Sequence, residues 1–175
     1  MRASSKGLWA AVAGIVLVGL AAFLAWNAVG RDPRAPAVDY HLLSGSTLSS
    51  RDLHGKVVLV EFWATSCTTC VGEMPSMVKT YDRFAPKGFD LVAVSMSYDT
   101  PAYVRNFASS GPAGKLPFPV AMDRSGDVAK AFGNVRLTPT SFLIDRSGHI
   151  VKSYVGPPNM QELHALIGQL LSRQA

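Results

Sequence analysis

The chain has 175 residues, a formal net charge of +5 and 48% hydrophobic residues. Its lysines and arginines are spread along the sequence rather than clustered, and no aromatic residues alternate with them, so nucleic-acid binding is not indicated. The length beyond the first 37 residues is normal for one domain with a substantial core. The sequence contains no internal repeat and no low-complexity tract.

An apolar segment dominates the N-terminus. The stretch from Leu8 to Trp26 carries no charged or strongly polar side chain, and as a helix it would be about 28 Å long, close to the hydrocarbon thickness of a bilayer. We therefore predict residues 1–7 as a cytoplasmic head and residues 8–30 as an uncleaved transmembrane signal anchor. The alternative is a cleaved signal peptide, since residues 28–30 have a small-x-small pattern, but the apolar run is longer than the usual signal-peptide core.

Both interpretations of this segment place the rest of the chain in the same compartment. The predicted location is the bacterial inner (cytoplasmic) membrane, crossed once, with the remainder facing the periplasm or the outside. Residues 31–37 are rich in proline and lack periodicity, which is typical of a short, stiff linker. Residues 38–175 are predicted to form a single domain.

Hydrophobic periodicity predicts alternating strands and helices within this domain. Residues 41–53 are predicted as a short hairpin or a loose entry strand. The other predicted elements are strands over 57–63 and 89–96, helices over 70–84 and 101–108, a strand over 118–122, a short helix over 128–132, hairpin strands over 140–145 and 149–155, and a closing helix over 160–172. Pro75 is expected to kink the first long helix. This order favours an α/β domain with a mixed sheet and helices on both faces.

The only two cysteines, Cys67 and Cys70, directly follow the apolar run 57–63. Residues three apart share one helix face, which places their Cα atoms about 5 Å apart and within reach of a disulfide. The start of a helix also stabilises a thiolate. A zinc site would need about four ligands, and the four histidines are scattered. A static disulfide is the less favoured alternative, because so short a loop adds little stability. The pattern indicates a redox-active dithiol, with no metal or cofactor.

Several of these motifs together resemble a known family. The segment 55–70, with Glu73, Pro75, the tripeptide 138–140 and the final hairpin, resembles the membrane-anchored TlpA/ResA/CcmG-type thiol–disulfide oxidoreductases of the thioredoxin-like fold. The resemblance covers essentially all of residues 38–175. It implies a four- or five-stranded mixed sheet flanked by helices, with an added strand–helix unit between about residues 89 and 122.

The resemblance also implies roles for individual residues. Cys67 matches the exposed cysteine that attacks substrate disulfides, and Cys70 matches the buried cysteine that resolves the mixed disulfide. Pro139 matches the family's cis-proline, opposite the dithiol. Together with Thr138 and Trp63, it is expected to form the substrate-binding surface.

Two acids are candidates for the proton acceptor in this reaction. Glu61 lies in the predicted strand six residues before Cys67, where thioredoxins carry a buried acid, and burial would raise its pKa toward that of a useful base. Glu73 lies three residues after Cys70, where ResA-like proteins carry a glutamate. The structural alternative for Glu73 is a favourable interaction with the helix dipole. The two roles are not exclusive.

The sequence thus predicts a membrane-tethered periplasmic reductase of protein disulfides. Its expected partners are protein disulfide substrates, with apocytochrome c and cytochrome c maturation as the candidate case, and a membrane electron donor that re-reduces the dithiol. One alternative is a peroxiredoxin-like thiol peroxidase, although such enzymes usually carry Thr-x-x-Cys with a nearby arginine. The other is a non-enzymatic binding module with an incidental disulfide. The sequence does not give the reduction potential, which separates a reductant from an oxidant.

Overall fold

The computed structural model describes residues 14–20 and 33–173. Residues 14–20 are helical, and the rest of the predicted anchor over 8–30 lies outside the described residues. Among the helices in the described part of the chain, none combines the length and the apolar character needed to cross a membrane. Residues 1–32 and residues 33–175 form separate units, and the second unit carries the dithiol.

The second unit follows the predicted order of elements. Its strands are β1 (Asp39–His41), β2 (Thr47–Ser49), β3 (Val57–Trp63), β4 (Phe89–Ser95), β5 (Val120–Met122), β6 (Thr140–Ile144) and β7 (Ile150–Val155). Its α-helices are α1 (Thr68–Phe84), α2 (Pro101–Ser110), α3 (Asp127–Ala131) and α4 (Met160–Ser172). The predicted elements are confirmed to within a few residues, and α1 continues through Pro75 as one helix.

The central sheet is five-stranded and mixed, with the strand order β5-β4-β3-β6-β7. Strands β3, β4 and β5 run parallel, whereas β6 and β7 are antiparallel to their neighbours. β1 and β2 form a separate antiparallel hairpin. Every residue of β3 is buried, as expected for a central strand covered on both faces. The predicted mixed α/β sheet is confirmed.

Alternation along β3 divides the core into two clusters. Val57, Leu59 and Trp63 point to the face covered by α1, α2 and α4, where they join a cluster that includes Met74 and Ile167. The intervening apolar residues of β3 point to the opposite face, which is covered by the β1–β2 hairpin and α3. Because side chains alternate along a strand, Glu61 lies on the same face as α1.

Residues 33–37 belong to the segment that the sequence predicts as a short, stiff linker. The Ala35 amide donates to the Gly148 carbonyl (2.9 Å), and the Ile150 amide donates to the Pro33 carbonyl (2.8 Å). These bonds attach the segment to the start of β7, an edge strand whose backbone groups are open to pairing. These hydrogen bonds hold residues 33–37 against the domain predicted over residues 38–175.

Candidate active site

The dithiol lies at the junction between β3 and α1. β3 ends at Trp63, and Cys67 is the N-cap of α1. The Cys70 amide donates to Cys67 Sγ over 3.2 Å. A helix N-terminus offers such unpaired amides and a positive dipole end, and both stabilise negative charge on sulfur. The local fold therefore favours the thiolate of Cys67 once the pair is reduced.

The two cysteines form a disulfide with a Cα–Cα distance of 5.3 Å, as the spacing predicted. They differ in exposure, because Cys67 is half-buried whereas Cys70 is fully buried. An incoming sulfur nucleophile therefore has access to Cys67 and not to Cys70. This asymmetry fits the roles that the family resemblance implies for the two residues.

The Thr138–Pro139 peptide bond is cis, and the loop that contains it lies beside the dithiol. The Thr138 carbonyl oxygen is 3.5 Å from Cys67 Sγ. The loop is held in place because the Gly156 amide donates to the Pro139 carbonyl over 2.8 Å. The structure thus brings Thr138 and Pro139 together with the reactive sulfur, although they are about 70 residues away in the chain.

Trp63 lies in the hydrophobic core rather than on the surface beside the dithiol. Its side chain is fully buried, and its ring centroid is 5.0 Å from that of Phe107 in α2. In this position Trp63 cannot contact a substrate, so its assignment to the substrate surface is not supported by the structure. The reason is that the added helix α2 covers the sheet face to which Trp63 points.

The two acids that the sequence predicts as candidate proton acceptors, Glu61 and Glu73, form one pair in the structure. Glu61 is fully buried and Glu73 is half-buried. Burial raises the pKa of Glu61 well above its usual range, and the negative charge of Glu73 raises it further. Burial also raises the pKa of Glu73, although the hydrogen bond with Glu61 partly offsets this rise.

The protonation state decides whether the carboxyl groups of Glu61 and Glu73 can form a hydrogen bond with each other. In the ionised form their four oxygens have no hydrogen-bond donor among the described residues, since carboxylates only accept hydrogen bonds. A single proton on either group creates a donor and allows the bond between them. The pair of Glu61 and Glu73 therefore favours a singly protonated state, and its titration belongs to both residues.

Asp99 is a site residue that the sequence analysis missed. Its buried carboxylate accepts from the Thr65 amide (2.7 Å), Thr65 Oγ1 (2.5 Å), Ser95 Oγ (3.1 Å) and the Thr100 amide (3.0 Å). These bonds tie the turn before Cys67 to the end of β4. The sequence carries one signal for this role, which is an acid shortly after a buried strand. Parallel strands end at the same edge of a sheet, so an acid in this position lies near the residues that follow the neighbouring strand.

We expect Asp99→Asn to destabilise this turn. The amide nitrogen would face donors that now bond to a carboxylate oxygen, which should lower the free energy of unfolding by about 1–3 kcal/mol. Disulfide exchange should also slow, since Cys67 loses its positioning. Urea unfolding and an insulin-reduction assay measure the two effects. Asp82→Asn, at an exposed position on α1, is the matched control, and equal behaviour of the two variants would contradict the assignment.

Comparison with known proteins agrees with this geometry. Residues 31–167 match the Redoxin family. The thiol-disulfide oxidoreductase ResA of Bacillus thuringiensis subsp. konkukian is 34% identical over 128 residues, which cover 73% of this chain and 71% of that protein. The thioredoxin-like protein YneN of Bacillus subtilis is 33% identical over 164 residues, covering 87% of this chain and 93% of that protein.

A solved structure shows the same fold. The thiol:disulfide interchange protein of the thioredoxin family from Chlorobium tepidum superposes with a TM-score of 0.72 and 29% identity, covering 82% of this chain and 99% of that chain. Fold, cysteine geometry and sequence similarity thus lead to one conclusion. This chain belongs to the Redoxin family and is a thioredoxin-like thiol–disulfide oxidoreductase of the TlpA/ResA/CcmG type.

Proposed function

We propose that this protein is a membrane-tethered reductase of protein disulfides that works outside the cytoplasmic membrane. The observation that carries the proposal is the asymmetry of the dithiol. A half-buried Cys67 sulfur caps a helix N-terminus beside the Thr138 carbonyl, while its partner Cys70 is fully buried. Such a site can attack an external disulfide with one sulfur and complete the reaction with the other.

The proposed reaction has two exchange steps. The Cys67 thiolate attacks one sulfur of the substrate disulfide, so that a Cys67–substrate bond forms, the substrate bond breaks and one substrate thiolate leaves. Cys70 then loses its proton and attacks Cys67 Sγ, which forms the Cys67–Cys70 disulfide and releases the second substrate thiolate. Two electrons pass from the dithiol to the substrate, and a membrane electron donor later restores the dithiol.

In this scheme the glutamate pair accepts the Cys70 proton. The side chain of Glu61 lies on the face of β3 that α1 covers, and α1 begins with the dithiol and also carries Glu73. A carboxyl group whose pKa is raised by burial can hold a proton near neutral pH and exchange it with a thiol. The pair thus supplies a proton site in a region that bulk water does not reach.

The membrane tether rests on the apolar N-terminus. The Redoxin match begins at residue 31, directly after the predicted anchor over 8–30, and this boundary supports a tethered catalytic domain. Protein disulfides are the substrate class in this proposal. Apocytochrome c, and with it a part in cytochrome c maturation, is the specific case that the likeness to the CcmG type suggests.

A turnover assay tests the catalytic part of the proposal. With dithiothreitol as the electron source, the full-length protein in mild detergent should accelerate reduction of insulin disulfides. It should not consume hydrogen peroxide faster than a variant in which both cysteines are serine. Peroxide consumption that exceeds insulin reduction would favour the peroxidase alternative, and inactivity in both assays would favour a binding module.

The anchor has a separate test. We expect the full-length protein to fractionate with membranes and to resist extraction by alkaline carbonate, because the segment from Leu8 to Trp26 is continuously apolar. A protein that starts at Arg31 should instead stay in the soluble fraction. A mature N-terminus at Arg31, found by peptide sequencing of the membrane-derived protein, would show that the segment is cleaved.

A further inference from the structure

A cavity of about 240 Å³ lies at the opposite end of the sheet from the dithiol. Its walls include Arg34 and Tyr40 from the start of the domain, Arg51 and His54 from the segment after β2, and Val58 near the start of β3. The dithiol follows the other end of β3, about 20 Å away at the usual rise per residue. The cavity is therefore separate from the reaction site.

The cavity has a largely apolar lining, and the donors among its lining residues suit an anionic group. Arg34 and Arg51 are exposed and form no ion pair with any described residue. Tyr40 is fully buried, and burial raises its pKa above the usual value, so its hydroxyl keeps its proton. That hydroxyl has no hydrogen-bond partner within residues 33–173. Guanidinium groups and a phenol together match the oxygens of a phosphate.

One acid, Asp145, also lines the cavity. Its Oδ1 atom already accepts from the Ser147 amide (3.0 Å), Ser147 Oγ (2.8 Å) and the His149 amide (2.8 Å). Burial raises the pKa of Asp145, but these hydrogen bonds lower it more, so the carboxylate keeps its charge. A phosphate in the cavity is therefore held by the two positive charges of Arg34 and Arg51 against this single negative charge. The cavity volume is below the range of about 300–1,000 Å³ that is usual for drug-sized ligands, so the cavity suits a small group such as a phosphate ester.

The position of Arg34 in the chain indicates where such a group would come from. Arg34 is four positions after Gly30, the last residue of the predicted anchor, and four Cα–Cα steps span at most about 14 Å. If residues 8–30 cross the bilayer, Arg34 therefore stays near the membrane surface, where phospholipid headgroups are the most concentrated phosphates.

We propose that this cavity binds the phosphate of a phospholipid headgroup at the outer surface of the cytoplasmic membrane. This inference rests on the membrane anchor of the proposed function. Because the cavity and the dithiol lie at opposite ends of β3, headgroup binding holds Cys67 away from the bilayer, where it faces water-soluble proteins. The bound lipid acts as a second contact that orients the tethered domain.

The test uses the full-length protein in maltoside detergent, which contains no phosphate. Short-chain dioctanoyl phosphatidylglycerol should raise the melting temperature in a saturable way. Dioctanoylglycerol, which lacks the phosphate, should not, and inorganic phosphate should require at least about tenfold higher concentrations. An equal shift with inorganic phosphate would show a free-anion site, and an equal shift with dioctanoylglycerol would show an apolar site. Either result overturns the proposal.

Substitutions of the lining residues test whether the lipid binds in this cavity. The double variant Arg34→Gln/Arg51→Gln and the single variant Tyr40→Phe should each bind the short-chain lipid at least several-fold more weakly, while insulin reduction stays unchanged. Arg105→Gln/Arg124→Gln removes the same charge from exposed positions elsewhere and should bind like the unmodified protein. Equal binding by all variants would overturn the proposal. Since the titration is done in detergent, its outcome does not depend on the anchor, which carbonate extraction tests by itself.

Discussion

Cys67→Ser should abolish disulfide exchange, whereas Cys70→Ser should accumulate a mixed disulfide between Cys67 and its substrate. The reason is the difference in exposure between a half-buried Cys67 and a fully buried Cys70. Without Cys67 no sulfur can reach an external disulfide. Without Cys70 the first exchange still occurs, but nothing displaces the substrate from Cys67.

Mass spectrometry of the Cys70→Ser protein after incubation with an oxidised peptide measures this directly. The expected product carries one peptide, linked to Cys67 and released by dithiothreitol. The doubly substituted protein is the control for non-specific adducts. If Cys67→Ser forms the stable adduct and Cys70→Ser does not, the two roles are reversed.

Glu61→Gln should stabilise the folded protein at neutral and alkaline pH. In the folded protein burial and the charge of Glu73 raise the pKa of Glu61, whereas the unfolded chain ionises near the ordinary value of 4.5. As the pH rises above this ordinary value, the Glu61 carboxyl ionises in the unfolded chain before it ionises in the folded protein. The free energy of unfolding therefore falls until the pH reaches the raised pKa of the folded protein. Glutamine never ionises, and its amide can donate to Glu73 as the carboxyl proton did.

The expected gain in unfolding free energy is on the order of 2 kcal/mol at pH 8, and it should largely vanish below pH 4. Urea unfolding of the oxidised protein between about pH 3 and about pH 9 gives this profile. A pH-independent difference between Glu61→Gln and the unmodified protein would mean that packing, not ionisation, causes the effect.

The same substitution should slow disulfide exchange near neutral pH. General-base assistance is typically worth 10²-fold or more, and Glu61→Gln removes it while keeping the side-chain volume. The pH–rate profile should lose the inflection that the glutamate pair contributes. A profile altered by Glu73→Gln but not by Glu61→Gln would assign the proton to Glu73. No change with either variant would leave the solvent as the proton acceptor.

Local sequence signals predicted most of the fold. The apolar run of β3, the periodic face of α4 and the hairpin of β6 and β7 lie where their patterns indicated, because each pattern is contained in one element. The cysteine pair was also accessible from sequence, since its spacing and its position after β3 determine its geometry. What the sequence could not supply were contacts between distant segments.

Three residues illustrate this limit. Asp99 matters because β4 pairs beside β3, which brings its carboxylate to the turn before Cys67. Trp63 is buried because Phe107 of the added helix covers it. Ala35 belongs to the domain because Gly148, more than 100 residues later, accepts its amide. Apart from the position of Asp99 after a buried strand, none of these pairings leaves a local pattern. The glutamate pair is similar, because both acids were identified but their coupling required the fold.

The reduction potential of the Cys67–Cys70 pair is the most direct test of a reductase. The singly protonated pair of Glu61 and Glu73 carries one negative charge on the face of β3 that α1 covers. This charge opposes the thiolate that the helix N-terminus favours, so we expect the dithiol to give up electrons readily. Equilibration with a dithiothreitol redox buffer should give a potential below about −200 mV, towards the value of about −270 mV that is typical of thioredoxin. A potential near about −120 mV, as in strongly oxidising dithiol proteins, would contradict a reductase and make this protein a disulfide donor.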